Sequence, residues 1–361
     1  HLCYYCRSCY FYTLLSNTTM SILLGFLLFS FTVNAALIIP FIDLLYLLKF
    51  QKTQRQTKDF MGQVNKVFNS LHRQKAGTPI GGGLLIIVTT SFLFFLSLAA
   101  LRLSGAQITH VYPISQEIMV IFVTYLSFGL LGLYDDVAKF FDLNKGRVGI
   151  GMKEKLILQL LLGSLIGWYL YKVMGIDLIN IPYFGAIHLG WFFVPFAAFL
   201  ITAFSNAVNI TDGLDGLASG LLMISLFALV ILAFSILDTP LTLFISLWLG
   251  GLLAFLYFNT YPARIFLGDV GALSFGATLA VIGLLLGKII AVTIIGGLFV
   301  VEILSSFIQI MGKKYLHRRL LPLTPFHLWL QSIGWDEPKI VARAWLAGII
   351  LALFGLWLAL L

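Results

Sequence analysis

The sequence predicts an all-α polytopic membrane protein with ten transmembrane helices. Three observations predict it. The 361-residue chain is 60% hydrophobic and only 11% charged, where a soluble domain runs at roughly 45–50% apolar and about 25% charged. Its mean hydropathy is +0.99. Its apolar residues gather into ten runs, most of them long enough to cross a bilayer as helices. An aromatic content of 15% excludes disorder, and three cysteines exclude a disulfide scaffold. The strict alternation of membrane barrel strands is not seen.

In chain order the runs are Ile22–Leu48, Leu84–Leu101, Ile118–Leu131, Leu156–Val173, Trp191–Phe204, Leu217–Ile236, Leu241–Phe258, Ala272–Leu286, Ile289–Met311 and Ala344–Leu361. The third, fifth and eighth are short and are expected to extend by a turn. The 33 glycines fit close helix contact in lipid. The first run is too long for a signal peptide and lacks a small-residue cleavage site, so it reads as a retained helix. Residues 1–19 contain no Met and precede Met20. Their Cys3, Cys6 and Cys9 could ligate a metal, but no further cysteine supplies a fourth ligand. They read as a non-native or upstream extension, and residues 20–361 as a single ten-helix domain.

Lys and Arg set the orientation. Residues 49–83, 132–155, 205–216, 259–271 and 312–343 fall on one side and carry 19 basic residues, against 4 on the other. The positive-inside rule puts the first set in the cytoplasm and both termini outside. The net charge of +8 is therefore mostly a topology signal and fits contact with anionic headgroups. Nucleic acid is not an expected partner.

Carboxylates are scarce, and five of them gather at cytoplasmic ends of spans: Asp135, Asp136, Asp212, Asp215 and Asp269. Charge near membrane depth is costly and marks function by default. In LGLYDDVAK, Asp135 and Lys139 share a helix face. The adjacent acids repel unless a cation or proton lies between them. A base or metal site and a solvated helix end with an ion pair are both open.

In SNAVNITDGLDGLAS, Asn206, Asn209, Asp212 and Asp215 repeat every third residue and cover half of a helical surface. Gly213 and Gly216 would let a bulky ligand approach the backbone. The alternative is a capped turn with Asp215 as N-cap. In NTYPARIFLGDVGA, Asp269 is either a helix cap or a metal ligand beside amides able to hold phosphate. Phe266 could stack on a base. The entry Lys75-Ala-Gly-Thr-Pro-Ile-Gly-Gly-Gly83 is no Walker loop but could cradle a phosphate. The loop after the ninth span mixes Lys313, Lys314, Arg318 and Arg319 with Phe326, His327 and Trp329, as an interfacial segment does. Asp43 and Glu302 lie deeper and read as satisfied packing residues.

Hard oxygen donors without a His/Cys cage favour Mg²⁺ or Mn²⁺, which usually accompany substrate phosphates. The inference is phosphoryl transfer at the cytoplasmic membrane surface, between a water-soluble and a lipid-borne phosphate.

The set GTPxxGG, GLYDDVAK, SNAVNITDGLDGLA, NTYPARIFLGDVGA and GWDEPKIV, in this order from about Met20 to Leu361, resembles the phospho-N-acetylmuramoyl-pentapeptide transferases. These belong to the polyprenyl-phosphate N-acetylhexosamine-1-phosphate transferase superfamily. The resemblance implies a ten-helix enzyme of the bacterial inner membrane, usually a homodimer, with a cytoplasmic active site. It implies UDP-N-acetylmuramoyl-pentapeptide and undecaprenyl phosphate as substrates, lipid I and UMP as products, and a requirement for Mg²⁺. By this resemblance Asp135 and Asp136 match the paired catalytic aspartates, with Asp135 as the base. Asp269 matches the metal-binding aspartate. Asn209, Asp212, Gly213 and Asp215 match the nucleotide-sugar pocket, and Phe266 the aromatic under the uracil. Lys75, Lys139, Gln309 and His327 complete the substrate-binding set. Three consecutive histidines are usual in the family, whereas His327 is followed here by Leu328 and Trp329. The alternative is a sister enzyme moving GlcNAc-1-phosphate onto the same lipid for O-antigen or wall teichoic acid. A transporter fits less well, because transporters commonly bind near the bilayer midplane.

Overall fold

The computed structural model describes residues 2–51, 75, 77–141 and 149–361, and the side chains of those from residue 21 onward except 141. Helix α1 runs Leu2–Leu47, α2 Gly82–Leu103, α3 Ile114–Phe141, α4 Met152–Lys172, α5 Phe193–Thr211 and α6 Leu217–Ser235. Then come α7 Thr239–Asn259, α8 Gly268–Leu285, α9 Ile289–Ile295, α10 Gly297–Tyr315, α11 Phe326–Ser332 and α12 Glu337–Leu360. Each of the ten expected runs coincides with helix. The third, fifth and eighth extend as expected, because polar residues at their ends continue the helix beyond the apolar stretch.

Among the described residues, eight helices are long and apolar enough to cross a membrane, or nine if the bent pair α9–α10 counts as one. The fourth expected span, α4, is not among them. Gln159, two tyrosines and the lysines at either end dilute its apolar character. The ninth run is not one straight helix. It breaks at Gly296 into α9 and α10, which meet at 81°. An antiparallel hairpin, β1 Leu178–Ile181 and β2 Gly185–His188, interrupts the helices with Leu178 opposite His188. The sequence reading assigned no strand there. Cys3, Cys6 and Cys9 have side chains outside those described.

Helices α7 and α8 form the centre, and α8 is buried along nearly its whole length. Around them Phe94, Phe122, Tyr125, Phe244, Trp248 and Phe275 pack ring to ring, with centroids 5.0–6.3 Å apart. Lipid tails are as apolar as these side chains, so close packing has to hold the helices together. The crossing of α3 and α8 shows how. A Cβ on Gly132 would lie 2.2 Å from the carbonyl oxygen of Asp269. The missing side chain lets α3 deliver its aspartates directly onto the start of α8. Gly132→Ala is expected to push the helices apart and cost about 1–3 kcal/mol, the usual price of overpacking. Thermal unfolding in detergent measures this, and an unchanged melting temperature would contradict it.

Candidate active site

The site forms where six segments meet at one end of the bundle. They are the C-terminal ends of α3 and α5, the N-terminal ends of α4, α8 and α12, and the chain at Lys75. Its acids fall into two groups.

In the first group, Asp135 and Asp269 point at the same two lysines. Lys139 Nζ lies 2.8 Å from Asp135 Oδ2 and 2.8 Å from Asp269 Oδ2. Lys155 Nζ lies 3.0 Å from Asp135 Oδ2 and also pairs with Asp269 Oδ2. The Ile150 amide donates to Asp135 Oδ1 at 2.8 Å. Asp136, one residue on, is turned about 100° away on the helix. Its Oδ2 accepts from the Val270 amide at 3.1 Å. The paired aspartates therefore have different surroundings. Asp135 faces the lysines, while Asp136 ties α3 to the first turn of α8. Asp269 sits within that turn and is not its cap, since the N-cap is Leu267. Its side chain is engaged by the lysines.

Lys75 joins the second group together. Its Nζ is 2.7 Å from Asp215 Oδ1, 2.5 Å from Glu337 Oε1 and 3.2 Å from the Gly213 carbonyl oxygen. Its ammonium also stands 5.9 Å from the ring centre of Phe266. Asp215 is not a helix cap either, because the N-cap of α6 is Gly216. Asp215 Oδ2 accepts from the Ala263 amide at 2.9 Å, and the Asp215 amide donates to Glu337 at 2.6 Å. These bonds connect the motifs around residues 75, 215, 263 and 337. Three buried charges share them, which suits a fixed geometry better than net stabilisation.

The remaining expected residues differ in placement. Asp212 caps the C-terminus of α5. Asn209 lies on the preceding turn, and its Nδ2 is buried without a hydrogen-bond partner among the described residues. Gly213 packs against the His327 imidazole, where a Cβ would lie 2.5 Å from Nε2. Gln309 is buried with its amide engaged by backbone: it accepts from Leu320 and Leu321 and donates to the Leu321 carbonyl. It shapes the loop after α10. The last three glycines of the entry give their amides to backbone and not to a phosphate. The Gly81 and Gly82 amides donate to Phe266 O and that of Gly83 to Leu267 O, at 2.9–3.1 Å. Asp43 lies on an exposed face of α1.

The sequence reading missed Lys155 and Glu337. Lys155 was counted only as a topology charge, and Glu337 stood in a quoted motif without a role. A net excess of acids in the clusters was the signal that cations must come from elsewhere in the chain.

An all-helical membrane fold with an acid and lysine site at one end defines a class that comparison sharpens. Residues 118–287 match the family described as glycosyl transferase family 4. The phospho-N-acetylmuramoyl-pentapeptide-transferase of Clostridium perfringens strain 13 is 34% identical over 324 residues, covering 90% of this chain and 92% of that protein. That of Aquifex aeolicus strain VF5 is 36% identical over 327 residues, covering 85% and 86%. That of Halalkalibacterium halodurans is 33% identical over 340 residues, covering 93% and 97%. The chain belongs to the phospho-N-acetylmuramoyl-pentapeptide-transferase family.

Proposed function

We propose that this protein transfers phospho-N-acetylmuramoyl-pentapeptide from UDP to undecaprenyl phosphate, giving lipid I and UMP for peptidoglycan synthesis. An oxygen of the lipid phosphate attacks the β-phosphorus of the nucleotide sugar, and the bond to the UMP phosphate breaks. The reading places the protein in the bacterial inner membrane with ten spans, both termini outside and a cytoplasmic site, as a homodimer. The observation that carries it is the meeting of the family's spaced motifs at one end of the bundle. Asp135, Lys139 and Asp269 meet in one group and Lys75, Asp215 and Phe266 in the other, and the motif that carries Asp269 also carries Phe266. The relatives' shared name favours the muramoyl substrate over GlcNAc-1-phosphate transfer.

The donor set fits Mg²⁺. Asp135 and Asp269 converge through carboxylate oxygens on a place now held by ammonium charge, and Mg²⁺ prefers a few carboxylates plus substrate phosphates. Asp269, with Asp135 beside it, would hold such an ion, which supplies charge neutralisation to the pyrophosphate. Lys139, Lys155 and Lys75 bring positive charge to the phosphates, and Phe266 offers a ring to the uracil. Phosphoryl transfer needs mainly positioning and charge stabilisation, which these residues provide.

The test is UMP release and lipid product formation by purified protein, with UDP-N-acetylmuramoyl-pentapeptide and UDP-GlcNAc as parallel donors. Product from the muramoyl donor is expected. Product from UDP-GlcNAc alone would transfer the assignment to the sister enzyme.

Orientation has its own test, on a background with Cys3, Cys6 and Cys9 replaced by serine. Lys58→Cys and Lys145→Cys, at positions outside the described residues, are expected to resist an impermeant thiol reagent in intact cells. Phe184→Cys, at an 85% exposed position in the hairpin, is expected to react. Asp238 would be a poor outer probe. It is 1% exposed and caps α7, and burial lifts its carboxyl above the usual range. A reversed pattern would put the site outside.

A further inference from the structure

Glu302 is an acid in α10, well inside a membrane helix, where an ionisable group calls for a named partner. That partner is His327. Both side chains are almost fully buried, at 7% and 3% exposure. Glu302 Oε2 lies 3.1 Å from His327 Nδ1, and Oε1 accepts from the His327 backbone amide at 3.1 Å. The contact thus fixes the ring and the start of α11 together. The opposite ring nitrogen, Nε2, faces Gly213, which has no side chain to hold it off. The Gly213 carbonyl in turn accepts from Lys75. A line of contacts therefore runs from Glu302 through His327 to the loop that carries Asp212 and Asp215.

A carboxylate can only accept a hydrogen bond, so the ring nitrogen it faces must carry the proton. In a neutral imidazole the other nitrogen is then the acceptor. We propose that Glu302 is a positioning residue for the transfer reaction, which keeps the His327 proton on Nδ1 and holds Nε2 as an acceptor against the Asp212–Asp215 loop. The ligand chemistry that suits this nitrogen is a hydroxyl or amide donor of the nucleotide sugar. The role rests on the function proposed above. Leu328 and Trp329 follow His327, so it is the only imidazole in that stretch.

Glu302→Gln is the informative variant. Its carbonyl oxygen still accepts the His327 backbone amide, so the loop stays anchored. Its NH₂ now faces Nδ1 and favours the opposite tautomer. With ¹⁵N-histidine-labelled protein at pH 9, Nδ1 of His327 is expected to be protonated in the wild type and to lose that proton in Glu302→Gln. His327→Asn identifies the resonance. A wild-type ring protonated only on Nε2 would overturn the proposal.

Kinetics gives a second arm. Glu302→Gln is expected to lower kcat/KM for the muramoyl donor about 10- to 100-fold, the scale known for partners that orient metal-bound histidines. In a His327→Asn background the same change is expected to cost less than about twofold, because residues that act as a unit are not additive. Equal losses in both backgrounds would make Glu302 a packing residue only. A wild type inactive on the muramoyl donor would instead reject the function, while the nitrogen spectra still decide the Glu302–His327 contact.

Discussion

Asp269→Asn is expected to lower kcat by about 10²–10³-fold, the scale of removing one preorganised electrostatic contact such as an oxyanion-hole donor. The residual activity should need more Mg²⁺ than the wild type. Two physical effects act together. A neutral amide is a poorer ligand for a hard divalent ion. Asp269 Oδ2 also balances both Lys139 and Lys155, so its loss removes a carboxylate charge that the two ammonium groups share with Asp135. Asparagine keeps the shape of the side chain, and the first turn of α8 is held independently by Asp136 through the Val270 amide. The variant should therefore fold. Initial rates across a Mg²⁺ titration, with a melting curve of each protein, make the measurement. Near-normal turnover with an unchanged Mg²⁺ optimum would remove Asp269 from the metal role. A rate loss that follows a collapse in melting temperature would mark it as structural.

The acids of the site were legible in the sequence because charge is scarce in this chain. With 15 carboxylates in 361 residues, those left at span ends stand out. Helix positions were legible for the related reason that a long apolar run has few alternatives in lipid. Partners were harder to see. Lys155 meets Asp269 across 114 residues, and Glu337 meets Lys75 across 262. No local spacing encodes such a meeting, and both residues sat in segments whose charges already had an explanation. The break at Gly296 was hidden because hydropathy records how apolar a stretch is, not which way it points. The packing role of the last glycines of the entry was hidden for another reason. Glycines serve close packing as readily as phosphate binding, and here Gly83 meets Gly271 so closely that a Cβ would lie 2.2 Å from its Cα.

The geometry of the paired aspartates separates them in a way that pH can read. Attack on the β-phosphate needs a dianionic lipid phosphate held in line. The second pKa of a phosphate monoester is near ~6, so a base contributes most at low pH and little above ~8. Asp135 looks toward Lys139 and Lys155, the side from which phosphates would be met. Asp136 looks to the Val270 amide, and Gly268 packs close against it, where a Cβ would lie 2.8 Å from its Oδ2. Asp135→Asn is therefore expected to lose activity about tenfold near pH 5, where only about a tenth of a phosphate with a second pKa near ~6 is dianionic. Part of that loss should return as pH rises toward ~9, because solvent then removes the proton that the variant cannot. Asp136→Asn should lose activity without recovery, since an amide gives the Val270 N–H an uncharged, weaker acceptor at every pH. Parallel pH–rate profiles at saturating Mg²⁺ decide between them. Identical profiles, or recovery confined to Asp136→Asn, would exclude Asp135 as the base and leave its two lysines as its reason for being at the site.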